Sequence, residues 1–179
     1  MDRIKLHDKY FRLLIPHEKI EEAVRETARQ LNRDYEGGND IPVFLSVLNG
    51  SFMFTASLLK YTTFLSELSF VKLSSYSGMS STGPARRLIG LSDSLKGRRV
   101  IIIEDIVDSG RTITDMYAML REMGVEDIRV CTLFLKPAAY KGSVRIDYHA
   151  MEIGNEFIVG FGLDYDQLGR QFQDIYIVE

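Results

Sequence analysis

Val100-Ile101-Ile102-Ile103-Glu104-Asp105-Ile106-Val107-Asp108-Ser109-Gly110-Arg111-Thr112 is the stretch on which the fold turns. Four β-branched residues in a row predict a strand with both faces buried. Three carboxylates then gather where the strand ends, and small hydroxyl-bearing residues lead into a helix. An apolar strand has no need of acids at its tip, whereas a site for ribose hydroxyls, a metal ion and a phosphate does. Unpaired amides and the helix dipole make the Asp108–Thr112 turn an anion site. Gly110 allows close backbone approach or a positive φ. A plain N-cap by Asp108 or Ser109 would account for the turn alone. Glu104 and Asp105 shift the balance, because adjacent carboxylates are costly to desolvate unless cations or hydroxyls meet them. The segment points to a phosphoribosyl-binding site.

Working upstream, Pro42 to Leu48 is a near-continuous apolar run, read as a second doubly buried strand. Asn49-Gly50-Ser51 turns it into a helix carrying Phe52, Phe54, Ala56, Leu58 and Leu59. An earlier helix opens near Pro16, with Ile20, Ala23, Val24, Ala28 and Leu31 on one face. The Glu36–Asp40 cluster ends it. Leu68 to Tyr76 alternates like a strand and runs into the loop-like Ser77–Pro84; Arg87–Leu91 resumes extended structure. Downstream, Ile113, Met116, Tyr117, Leu120 and Met123 keep helical spacing until Gly124. Ile128 to Leu135 is a further buried strand, and the tail from Phe157 holds short extended pieces and a polar loop, Asp164–Gln171.

Strands alternating with helices predict an α/β fold, a mainly parallel sheet flanked on both sides by helices. Ligands in such sheets bind beyond the carboxyl ends of the strands. Asn49-Gly50, Asp105–Asp108 and Lys136 all fall at such ends and are expected to converge. No repeat, low-complexity tract or linker interrupts the 179 residues, which read as one domain. The net charge of -3 offers no basic field for nucleic acid. One cysteine, Cys131, rules out an internal disulfide and fits a reducing compartment. Without a leader-like start or an apolar run near the roughly 20 residues that cross a bilayer, no membrane role is expected and a cytoplasmic location is. His7, His17 and His149 have no metal-ligand spacing.

The acidic strand and its turn closely resemble the 5-phosphoribosyl 1-pyrophosphate (PRPP) motif of type I phosphoribosyltransferases. Four further pieces, in order, resemble the 6-oxopurine branch, the hypoxanthine-guanine phosphoribosyltransferases: Val47–Ser51, Ser75-Tyr76, Phe134-Leu135-Lys136, and Val159–Tyr165 with Arg170 behind it. Taken singly, a strand-end lysine is usually solvated, Phe157 would be core and Asp164-Tyr165-Asp166 an ordinary turn. Their order relative to the acidic strand carries the resemblance, which runs from about Leu45 to the C-terminus.

That resemblance implies a small hood over the sheet, built from the N-terminal segment and about residues 137–179. It implies that Glu104 and Asp105 hold the ribose hydroxyls, and that Ser109, Gly110, Arg111 and Thr112 cradle the 5-phosphate. Asp108 would exchange the proton of the purine imidazole. Asn49 and Gly50, across a non-proline cis peptide at Leu48–Asn49, would present amides to pyrophosphate, which Arg170 would also bind. Lys136 would donate to the six-position oxygen, Phe157 would stack on the base, the Ile158 backbone would read its edge, and Asp164 would lie at the same end. Magnesium is implied beside Glu104, Asp105 and Asp164, and a lid beginning at Ser75 and Tyr76. Many relatives carry lysine where this chain has Asn49.

The activity implied is transfer of the phosphoribosyl group from PRPP to hypoxanthine and guanine, giving IMP and GMP, in a homodimer or homotetramer. Lys136 speaks against adenine. A xanthine-preferring enzyme, or a regulatory RNA-binding protein on the same fold, are the alternatives.

Overall fold

The computed structural model describes residues 2–38, 40–72 and 95–179. Within them the chain forms β1 (Arg3–Leu6), β2 (Lys9–Ile15), α1 (His17–Tyr35), β3 (Val43–Leu48), α2 (Phe52–Leu59), β4 (Glu67–Lys72), β5 (Arg99–Val107), α3 (Arg111–Glu122), β6 (Asp127–Leu135), β7 (Tyr148–Glu152), β8 (Ile158–Val159) and β9 (Ile175–Val178).

The apolar runs form the parallel sheet they predict. Five strands lie in the order β4-β3-β5-β6-β7, every neighbouring pair parallel. Side chains along β5 alternate between two cores. Ile101 and Ile103 join Phe44, Cys131 and Leu133 under Ile20, Val24, Ala28 and Leu31 of α1 and Phe54 and Leu58 of α2. Val100 and Ile102 join Val43, Leu45 and Val130 under Ile113, Met116 and Leu120 of α3. A strand with a helix layer on each side has no polar face, which is why its sequence reads as unbroken hydrophobicity.

The second sheet is antiparallel, in the order β1-β2-β9-β8. It joins the two ends of the chain, Phe11 pairing with Val178 and Ile158 with Ile177. Ile4, Leu6, Phe11, Val159 and Tyr176 give it a small core of its own. This is the hood. Its C-terminal share is narrower than about 137–179, because β7 pairs in parallel with β6 and belongs to the central sheet. The stretch between Lys136 and β7 is the crossover that a parallel pairing requires.

Helix α1 follows Pro16 at its N-cap, as expected. Gly124 takes φ 77° after α3, the left-handed turn that ends helices. The strand expected over Leu68–Tyr76 is present as far as Lys72. Ser75, Tyr76, the Ser77–Pro84 loop and Arg87–Leu91 lie outside the described residues.

Candidate active site

Three strand ends meet at one edge of the central sheet: Leu48 of β3, Val107 of β5 and Leu135 of β6. At β3 the Leu48–Asn49 peptide is cis, as the resemblance implies. The turn that follows is packed against the acidic strand. A Cβ on Gly50 would fall 1.4 Å from Oδ2 of Asp105, and a Cβ on Gly162 (φ 99°) would fall 2.1 Å from the Gly50 carbonyl oxygen. Only glycine fits so close an approach.

Arg170 and Asp164 complete this corner. The Arg170 guanidinium donates to the Gly162 carbonyl at 2.8 Å and pairs with Oδ1 of Asp164 at 2.7 Å. The other Asp164 oxygen accepts from the Gln167 amide at 2.8 Å. The two residues predicted at opposite tasks, Asp164 beside the base and Arg170 on pyrophosphate, therefore hold each other.

Glu104 is 6% exposed, in register with Thr132 of β6. Among the described residues no donor or cation pairs with its carboxylate. Burial, reinforced by the charge of Asp105, pushes its pKa well above the usual carboxylate range. Burial likewise moves Asp105 up to about 6. Hydrogen bonds from the Ile106 and Asp105 amides and the pull of Arg170 oppose that rise, and the charge of Asp164 adds to it. Of the two adjacent acids, Glu104 is buried with nothing among the described residues to balance it, and Asp105 is only partly compensated.

Asp108, Ser109, Arg111 and Thr112 are exposed beyond the strand end. Gly110 stands at the N-cap of α3 with φ 84°, and no side chain caps the helix, so its first amides face outward as an anion site requires. Behind the turn lies a residue that the sequence did not single out. The Tyr140 ring sits where a Cβ on Gly110 would be, with Cε2 at 2.3 Å from that position. The Tyr140 hydroxyl donates to the Val144 carbonyl, and the Lys141 amide to Ser109 O at 3.4 Å. No motif marks Tyr140; only the crossover after Lys136 brings it there.

Lys136 is 7% exposed. Its amide donates to the Val107 carbonyl at 3.0 Å, and its ammonium meets Oδ2 of Asp108 at 3.0 Å. The hood supplies the remaining pieces. Phe157 is 46% exposed, with the Tyr165 ring edge-on at 5.8 Å, and buried Ile158 pairs with β9. Phe157 and Ile158 stand apart from the strand-end contacts, on the other sheet.

Among the described residues no group of three His, Cys, Asp or Glu side chains could hold a metal ion by itself. Magnesium seldom needs one, since it is commonly bound by one or two carboxylates together with substrate phosphates and water. The unbalanced Glu104–Asp105 pair fits that use.

Residues 14–166 match the phosphoribosyl transferase domain. The chain is 36% identical to hypoxanthine-guanine phosphoribosyltransferase of Streptococcus thermophilus over 169 residues, 94% of this chain and 93% of that one. The chain belongs to the hypoxanthine-guanine phosphoribosyltransferase family. It is also 35% identical to the bifunctional protein TilS/HprT of Listeria innocua over 97% of its own length, and spans 27% of that protein. The crystal structure of a hypoxanthine-guanine phosphoribosyltransferase from Bacillus anthracis superposes with a TM-score of 0.79 at 33% identity, covering 93% of this chain and 96% of that one. The α/β core with its separate antiparallel sheet is the fold of this family. Of the described residues, no helix is long and apolar enough to cross a membrane.

Proposed function

We propose that the protein transfers the phosphoribosyl group from PRPP to hypoxanthine and guanine, giving IMP or GMP and pyrophosphate, with magnesium as cofactor. The observation that carries this reading is the 3.0 Å pair between Asp108 and Lys136. It ties the end of the ribose-phosphate segment directly to the residue assigned to the six-position oxygen.

In this reading Glu104 and Asp105 accept hydrogen bonds from the ribose hydroxyls, and the amides of Ser109–Thr112 hold the 5-phosphate. Bound beside these acids, magnesium supplies positive charge to the pyrophosphate as it leaves. The bond from the anomeric carbon to pyrophosphate oxygen breaks with its electron pair going to pyrophosphate, and a bond from an imidazole nitrogen to that carbon forms. Asp108 takes the proton that the ring nitrogen loses. An ammonium has three donors, so Lys136 can keep Asp108 in place while offering another hydrogen to the purine oxygen. An adenine amino group cannot accept that hydrogen. Phe157 stacks on the base, the Ile158 backbone reads its edge, and the Asn49-Gly50 amides meet pyrophosphate. Arg170 would reach pyrophosphate by exchanging its contact with Asp164 for the ligand, and Asp164 would then be one of the residues to hold magnesium.

Two coarser expectations go with this reading. A cytoplasmic location suits the single buried thiol, Cys131. A homodimer or homotetramer suits the exposure of Phe52, while Phe54 is fully buried core and Tyr61 is held by Glu21. Light scattering after gel filtration tests the assembly.

A base panel tests the function. With PRPP and magnesium, hypoxanthine and guanine should be converted and adenine should not. A rate on xanthine exceeding both would make the enzyme xanthine-preferring, and no turnover on any 6-oxopurine would contradict the proposal.

A further inference from the structure

The β1–β2 turn, His7-Asp8, reaches across the hood to the loop that follows Asp164. The Tyr165 hydroxyl donates to Oδ1 of Asp8 at 2.7 Å. The His7 ring lies edge-on to the Tyr165 ring at 5.7 Å, and its Nε2 is 3.1 Å from the Asp166 carbonyl oxygen. The Lys9 ammonium covers the Tyr165 ring at 5.1 Å. The gripped loop is a poor one to leave unsupported. Asp166 and Gln167 are successive non-glycine residues at positive φ, 46° and 72°, a conformation that persists only where surrounding contacts impose it.

Tyr165 in turn meets Phe157. Among the described residues that ring has two aromatic neighbours, Phe11 at 6.4 Å and Tyr165 at 5.8 Å. Phe11 is locked in the hood core at 0% exposure. Tyr165 is only half-buried: its ring also packs on Phe11 at 5.9 Å, and its hydroxyl edge is held by the hydrogen bond to Asp8. The chain of contacts runs from Asp8 to Tyr165 to Phe157.

We propose that the His7-Asp8 turn is a positioning element for the base site: Asp8, acting through Tyr165, sets the plane of Phe157. The inference rests on the reading that Phe157 takes the base. Neither Asp8 nor Tyr165 touches substrate in this account, so their effect falls on base affinity and spares the PRPP end. A bound purine must lie flat on Phe157, and a freer ring costs affinity each time it is ordered.

The test is steady-state kinetics of the full chain with Asp8→Ala, Tyr165→Phe, Asp8→Asn and the double variant Asp8→Ala/Tyr165→Phe. At saturating PRPP and magnesium, the KM for hypoxanthine should rise about fivefold in each of the first two, the size expected for one lost hydrogen bond. kcat and the KM for PRPP should stay within about twofold of wild type on the same scale. The double variant should be no worse than either single one, because both remove the same bond. Asp8→Asn keeps an acceptor and should restore most of the wild-type KM. An unchanged hypoxanthine KM in both single variants, additive effects in the double, or an equal loss at the PRPP end would overturn the proposal. Wild-type protein with no 6-oxopurine turnover would sink the functional reading and this inference with it, whereas active wild type with unaffected variants removes the inference alone.

Discussion

Two places in the molecule draw acids at least partly out of water, and they treat them in opposite ways. Between α1 and α2, Glu21 is met by hydroxyls from Ser57 and, at 2.8 Å, Tyr61. Burial there works to raise its pKa, yet these donors prevail and leave it below the usual value. At the end of β5, burial raises Glu104 with no donor among the described residues to offset it, and raises Asp105 in spite of two backbone amides and Arg170. The fold can surround a carboxylate with donors, and at Glu21 it does. Their absence at Glu104, and the merely partial compensation at Asp105, teach that the remaining donors are to come from outside, as ribose hydroxyls and a cation. Glu21 belongs to the structure; the β5 pair belongs to the ligand.

The largest expected effect lies just beyond the β5 pair, at Asp108, whose side chain is half exposed and paired with Lys136. Asp108→Asn should lower kcat about 10²- to 10⁴-fold, the range of lost general acid–base help. PRPP affinity, measured by calorimetry, should hardly change. A loss of binding with kcat intact would move Asp108 from the base to the sugar and blur the division of labour along the strand.

Next come Glu104→Gln and Asp105→Asn. Each should weaken PRPP binding about 10- to 100-fold, as charged hydrogen bonds to the ligand are lost. Neither should lower the melting temperature of the free protein. Glu21→Ala should do the reverse. It strands the buried Ser57 hydroxyl and should cost about 1–3 kcal/mol in urea unfolding, with kcat/KM left within about twofold. If both classes of variant lost stability alike, the contrast would collapse.

The smallest effect is a difference in pH dependence, and the signs oppose. Burial pushes the pKa of Asp105 up from its ordinary 3.8 to about 6. Its favourable, protonated contribution is complete below the unfolded value and disappears as pH rises through about 6. Wild type should therefore lose stability relative to Asp105→Asn between those two values. Glu21, lowered from 4.5, stabilises above its unfolded pKa and stops doing so as pH falls through the folded one. Wild type should lose ground to Glu21→Gln only on the acid side. Urea midpoints of the three proteins across acid and neutral pH compare the two slopes.

The sequence made the central sheet legible because β3, β5 and β6 are buried on both faces and show it as unbroken apolar runs. The site along β5 and α3 was legible because its acids and its turn are contiguous. The hood was harder. In β1, Arg3-Ile4-Lys5-Leu6 is only four residues of alternation, and β2 finds its partner β9 at the far end of the chain, Phe11 opposite Val178. β7 lies at the sheet's outer edge and buries only Tyr148 fully, so it lacks the signature of its neighbours. The pairings Asp164–Arg170 and Asp108–Lys136, and Tyr140 behind Gly110, depend on how distant segments meet. Residue type named most of the participants, but packing decided who holds whom.

The claim that the Glu104–Asp105 pair is reserved for the ligand is tested most directly by thermal unfolding of wild type, Glu104→Gln and Asp105→Asn, each with and without magnesium and PRPP. Without ligand both variants should melt at or above the wild-type temperature. With saturating ligand wild type should gain several degrees through linkage and the variants should gain little. Variants that melt lower when free and still gain the full ligand shift would show the pair to be structural, and would contradict the account.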